Sequence, residues 1–168
     1  MPKIIENLRD RLLAEAKQQI EQGGYEAVTI RSIAKGCGVG VGTVYNYFPS
    51  KDALIAAHLL EDWKICVETI QAAAERAVVP QPVLLCTYEQ LVGFAGRHAA
   101  VFGSEAAASG YAAAFSRYHI MLRSQLAGPL RKFCGSDFLA QFAAESLLTW
   151  SMAGKSFGEI YEILKKLF

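Results

Sequence analysis

Apolar residues recur along this chain every three or four positions, and no run alternates convincingly with the period of two that a half-buried strand needs. Ile5, Leu8, Leu12, Ala16 and Ile20 fall on one face of a first helix predicted over residues 3–22. Gly23-Gly24 ends that helix, and Tyr25 begins the return. Thr29 stands where an N-cap of a second helix belongs. Gly36 to Gly40 read as a turn region, and a third helix follows over residues 41–47. Pro49-Ser50 marks the next boundary, with Ser50 capping a long fourth helix that reaches Ala77. Val78-Val-Pro-Gln-Pro82 interrupts the pattern as a loop. Helices are then predicted over 83–102, 105–108 and 111–126, with a break or kink at Gly128-Pro129. Ser136 caps a helix over 137–152, and a last helix starts near Ser156. The expected fold is all-α: a three-helix helix-turn-helix head over residues 1–51, followed by a larger helical domain over 52–168.

The stretch Thr29–Lys51 is the most specific part of the pattern. Ala34 is small enough for two helices to cross closely. Gly38, four residues on, can take the left-handed conformation of a sharp interhelix turn. Val44, six residues later, points inward from the next helix, and Ile33, Cys37, Val39 and Phe48 fill the other inward positions. Arg31, Lys35 and Lys51 lie in this stretch, which holds no Asp or Glu. A local cationic excess of this kind suits a phosphate backbone.

With Val44 and Phe48 inward, Gly42, Thr43 and Asn46 lie on the opposite face of helix three, and Tyr45 and Tyr47 lie on its flanks. Asn can pair with two atoms of adenine in the major groove, and a Thr methyl can touch that of thymine. Tyr hydroxyls reach phosphates, although either Tyr45 or Tyr47 can instead pack on helix one. Arg31 and Lys35 can equally be solvated charges on an exposed helix face. Lys51 begins helix four, where its charge adds to free backbone N–H groups in favouring a phosphate.

The run Gly42-Thr-Val-Tyr-Asn-Tyr-Phe-Pro-Ser-Lys51, with the amphipathic helix and Gly-Gly-Tyr before it, resembles the TetR family of bacterial transcriptional regulators. The resemblance covers roughly the first third of the chain. It implies operator binding through helix three, with phosphate contacts from helix two and the start of helix four. Carried over by position, it favours Arg31, Gly42, Thr43, Tyr45, Asn46, Tyr47 and Lys51. Two positions depart from the family pattern. Gly40 stands where Ser is common, leaving helix three without a side-chain cap, and Val41 stands where many members carry Lys or another polar residue. The resemblance further implies a repressor acting on palindromic double-stranded DNA and released by a small effector. Helix four would then be the lever.

Composition adds bounds. Of 168 residues, 52% are hydrophobic, which supports a sizeable core and excludes disorder. The net charge is only +1, so bulk charge alone does not point to nucleic acid. Residues 1–51 nevertheless carry seven Lys/Arg against five Asp/Glu, while the remainder carries ten against eleven. Cys37, Cys66, Cys86 and Cys134 are too widely spaced for a paired-ligand zinc motif and fit buried, reduced thiols. The charged start Met-Pro-Lys does not read as a signal peptide, and no apolar run reaches membrane-spanning length. A cytoplasmic protein without membrane contact is expected.

A single helix-turn-helix reads too little DNA for high specificity, so two copies are expected to pair across a two-fold axis. The broad apolar faces of the last two helices offer Leu139, Phe142, Leu147, Trp150, Phe157, Ile160, Tyr161 and Leu164 for a homodimer, or for the subunit's own core. Trp63, Phe94, Phe102, Tyr111, Phe115, Tyr118, His119 and Trp150 would suit a hydrophobic or aromatic effector, although an all-helical core also uses aromatics at this spacing. His119 and Arg123, one turn apart, can form its polar end. No nucleophile motif, metal-ligand spacing or phosphate-cradling loop is present, so neither catalysis nor a cofactor or metal is expected. Two alternatives stand beside the repressor: a thiol-based redox regulator acting through Cys37, and a helical ligand carrier without specific DNA binding.

Overall fold

The computed structural model describes the backbone of residues 7–103 and 105–168; between 104 and 117 it describes no side chains. The described residues form helices joined by short turns, with no strand among them. These are α1 (Leu8–Ala27), α2 (Ile30–Cys37), α3 (Val41–Tyr45), α4 (Lys51–Arg76), α5 (Gln81–Arg97), α6 (Ala99–Phe102), α7 (Glu105–Leu130), α8 (Asp137–Met152) and α9 (Phe157–Leu164). A 3-10 turn, Arg131–Phe133, separates α7 from α8.

The chain divides into two compact units: Met1–Asp62 with His98–Ser109, and Trp63–Arg97 with Gly110–Phe168. In the first, α1 packs on α2 and α6, and α2 packs on α3. Leu12, Ala16, Val28, Ile33, Val44, Leu54 and Ile55 make its core. In the second, α5, α8 and α9 pack together around Leu84, Leu91, Leu126, Leu130, Ala143, Ala144, Leu147 and Leu164.

Several expected boundaries shift, each for a local reason. The first helix does not stop at Gly23-Gly24. Gly24 takes φ +74, the chain bends, and helical turns resume to Ala27. The predicted helix over 83–102 is two helices. α5 ends at Arg97, and buried His98 leaves helical geometry before α6. The two helices expected over 105–108 and 111–126 are one, and it runs through Gly128-Pro129 to Leu130. A proline inside a helix costs about 3 kcal/mol. Here it falls in the last turn, where Leu126, Ala127, Pro129 and Leu130 are all buried, so packing offsets the missing N–H.

Caps account for most of the remaining ends. Thr29 and Ser32 form a reciprocal capping box on α2, with both bonds at 2.9 Å. Ser50 Oγ accepts from the Ala53 amide, Ser136 Oγ accepts from Leu139, and Ser156 with Glu159 forms a second box on α9. Glu159, fixed by the Ser156 backbone amide and then by Lys155, has its carboxyl pulled down to about 2.

Candidate nucleic-acid interface

The first unit presents a helix-turn-helix built as its residues require. Gly38 takes φ +66 at the α2 C-terminus, and its N–H returns to the Lys35 carbonyl. Val39 N–H reaches Ala34 O at 2.9 Å, completing the turn. From the opposite side, Arg11 Nη2 donates to Cys37 O at 2.9 Å, holding the end of α2 to α1. That side-chain cap was invisible in the sequence, because it joins residues 26 positions apart.

α3 is shorter than expected and ends at Tyr45 instead of Tyr47. Its hydrogen bonding nevertheless continues, with Asn46 N–H to Gly42 O at 3.2 Å and Phe48 N–H to Val44 O at 2.9 Å. Asn46 is its C-cap. Gly40 supplies no side-chain cap at the other end. Val44 and Phe48 are buried, so the neighbouring side chains turn outward. Tyr45 is 52% exposed and Tyr47 43%, so neither is buried against α1. Gly42 and Asn46 are exposed, Thr43 is half-buried, and no atom lies within 4 Å of the space a Cβ on Gly42 would take.

Arg31, Tyr45 and Lys51 converge on one open groove of about 520 Å3. Glu26, Val28, Thr29, Ile30 and Val41 complete its lining. The groove thus joins the starts of α2, α3 and α4, and two of its three charged residues are cations. Thr29 and Val41 were not singled out as contacts by sequence reasoning, because their placement depends on how the three helix starts meet. Lys35, on α2, is also exposed.

Cys37 is buried, and burial first, then Glu15, push its thiol pKa above the ordinary value, against the opposing effect of Arg11. A thiol so placed is a poor thiolate source, which argues against redox sensing through it.

In the second unit, Trp63 and Phe94 pack edge to face at 5.4 Å, and the Trp63 indole N–H donates to Gln125 Oε1 at 2.7 Å. Both rings are buried and serve the core. Tyr118 and Trp150 are exposed there, and Phe102 is exposed on the first unit. The side chains of Tyr111 and Phe115 lie outside the described residues. His119 Nε2 lies 2.9 Å from Glu145 Oε1, Arg123 Nη1 lies 3.7 Å from Oε2, and Thr149 donates to Oε1 at 2.8 Å. Burial opposes ionisation of Glu145, but hydrogen bonds from Thr149 and His119 outweigh it and hold the carboxyl below its usual range. The Arg123 Nε is buried without a hydrogen-bond partner. Glu145 and Thr149, from α8, were missed because only the pairing of α7 with α8 brings them to His119.

The residues expected at a dimer interface separate into three sets. Leu147, Ile160 and Leu164 are buried in their own unit, a correction that follows from their inward register on α8 and α9. Phe142 is 46% exposed and Trp150 51%, whereas Leu139, Phe157 and Tyr161 are half-buried. Phe138 and Ile163, not singled out from the sequence, are among the most exposed apolar residues. Among the described residues, no helix is long and apolar enough to cross a membrane.

A helix-turn-helix head of this geometry is a form that DNA-binding regulators use. Residues 12–58 match the family model for bacterial regulatory proteins of the tetR family, and the head is a TetR-family domain. Over 71 residues the chain is 39% identical to the HTH-type transcriptional repressor KstR of Mycolicibacterium smegmatis, covering 42% of this chain and 33% of that protein. Over 54 residues it is 37% identical to the HTH-type transcriptional regulator UidR of Escherichia coli K12, covering 32% of this chain and 28% of the other. The matches therefore span about a third of the length of these curated relatives. The crystal structure of the TetR family repressor AlkX from a Dietzia strain aligns with 95% of each chain at a TM-score of 0.62 and 17% identity. FadR from Bacillus subtilis, crystallised with stearoyl-CoA, aligns over 92% of this chain and 96% of its own, at a TM-score of 0.53 and 19% identity. These two likenesses concern the fold.

Proposed function

We propose that the protein is a dimeric, sequence-specific DNA-binding transcriptional regulator, a repressor released by a small hydrophobic or aromatic effector. Residues 1–51 would carry DNA binding, and residues 52–168 would carry effector binding and dimerisation. The observation that supports this most is the outward set Thr43, Tyr45, Asn46 and Tyr47 on a buried Val44–Phe48 spine, beside the groove shared by Arg31 and Lys51. Asn46 reads adenine, the tyrosines and cations hold phosphates, and Gly42 permits close approach. The exposed Phe138, Phe142, Trp150 and Ile163 are the surface for a second copy. The His119–Arg123–Glu145 cluster is the polar end of the effector site. An effector releases DNA only by binding the DNA-incompetent arrangement more tightly.

Fluorescence anisotropy tests the reading with DNA from upstream of the protein's own gene beside a scrambled duplex, at several salt concentrations, followed by selection from random DNA. Preference for one sequence with a steep salt slope is expected. Asn46→Ala should cost about 1–3 kcal/mol and relax preference at one base pair. Equal, weak binding to all sequences after selection would overturn the proposal.

A further inference from the structure

A lysine used as a phosphate contact is a point charge on a long, mobile stem, and it performs best when its ammonium is held in place before DNA arrives. Lys51 is held in this way. Its Nζ lies 3.7 Å from the centre of the Tyr25 ring, well within cation–π range. The ring is 7% exposed, so it is a fixed platform and not a mobile neighbour. The Tyr25 hydroxyl also donates to the Asp52 carboxylate, the residue that follows Lys51 on α4. Asp52 is the acid nearest to Lys51 in sequence, and free to move it would compete for the ammonium or repel a phosphate. Lys51 lines the groove beside Arg31 and Tyr45, whereas Asp52 is absent from its lining.

We propose that Tyr25 is a positioning residue for DNA binding: its ring face presents the Lys51 ammonium to the groove while its hydroxyl holds the Asp52 carboxylate away. Tyr25 itself touches no DNA. The inference rests on the reading of the head as a DNA-binding surface. One aromatic ring thus separates two adjacent opposite charges, leaving the cation forward and the anion back. Glu26, the residue after Tyr25, is the carboxylate that lines the groove with Lys51.

Two readouts on the full chain test it. In the DNA-free protein, NMR should show the Lys51 ε-methylene protons shifted upfield by the ring in the parent and in Tyr25→Phe. In anisotropy titrations across salt, Lys51→Ala should reduce the salt slope by about one. Tyr25→Leu should weaken binding about 3–10-fold and lower the slope toward that of Lys51→Ala, the scale of a lost cation–π contact. The double variant should bind no more weakly than Lys51→Ala alone, and Tyr25→Phe, which keeps the ring but frees Asp52, should fall between the parent and Tyr25→Leu. An unshifted Lys51 in a parent that binds DNA normally would overturn the positioning role alone, whether or not Tyr25→Leu folds. So would a folded Tyr25→Leu with the parent slope, or additive losses in the double variant. A parent that binds no DNA while its Lys51 remains shifted would instead sink the DNA reading, and this role with it.

Discussion

The two units use the same helical materials to opposite effect at their surfaces. In the first, the short α3 and the turn that follows it keep Val44 and Phe48 inward and turn Tyr45, Asn46 and Tyr47 outward. In the second, α8 and α9 place Leu147, Ile160 and Leu164 inward and leave Phe138, Phe142, Trp150 and Ile163 exposed. Polar outward positions on a compact scaffold define what the first surface can recognise, because hydrogen-bond donors and acceptors have direction. Apolar outward positions in the second define only that something must cover them, since burial is non-directional. A recognition surface is therefore legible at the level of single residues, and an association surface only as an area.

The contrast is sharpest in cores and interfaces. Leu147→Ala should lower stability by about 2–5 kcal/mol, equally at every protein concentration, because the side chain serves its own unit. Leu12→Ala should cost a similar amount in the first unit. Trp150→Ala and Phe142→Ala should change subunit stability little and shift the monomer–dimer equilibrium, read by analytical ultracentrifugation. If Leu147→Ala instead showed a concentration-dependent melting point, the division between core and association surface would be misdrawn.

Smaller effects are expected at the helix ends, where both units use the same device. Thr29→Ala and Ser156→Ala each remove one half of a capping box and should cost about 1 kcal/mol in thermal unfolding. Only the first should also weaken DNA binding, because Thr29 and, on the helix it caps, Arg31 both line the groove.

The smallest effect concerns pH. His58 of the first unit has its pKa lowered, first by burial and next by His98, with Lys17 acting in the same direction and Asp62 and Glu21 opposing. The unfolded chain therefore takes up a proton at this site near pH 6.5, where the native state resists it. Stability is undiminished above that pH and declines as pH falls toward the lower native value. His58→Gln should flatten the decline in melting temperature between pH 7 and 5; an unchanged slope would show that His58 contributes none of it.

Helix starts and caps were legible where one residue type has one physical role. Thr29, Ser50, Ser136 and Ser156 each accept from an amide at the predicted start, and Gly38 takes the predicted left-handed turn. Other features required partners distant along the chain. The sequence around Gly128-Pro129 reads as a stop, yet burial of Leu126 and Leu130 carries α7 through it. Arg11 capping α2, Lys51 over Tyr25, and Glu145 between His119 and Arg123 all join residues separated by at least 22 positions.

Local chemistry thus determined the all-helical class, the helix-turn-helix and the outward identity of Asn46 and its neighbours, because helical periodicity and turn conformations act over a few residues. The tertiary structure decided which apolar residues are core and which are surface. It also decided which charges meet: packing selects one partner among many of equal hydrophobicity or opposite sign, and a periodic pattern carries no record of that choice.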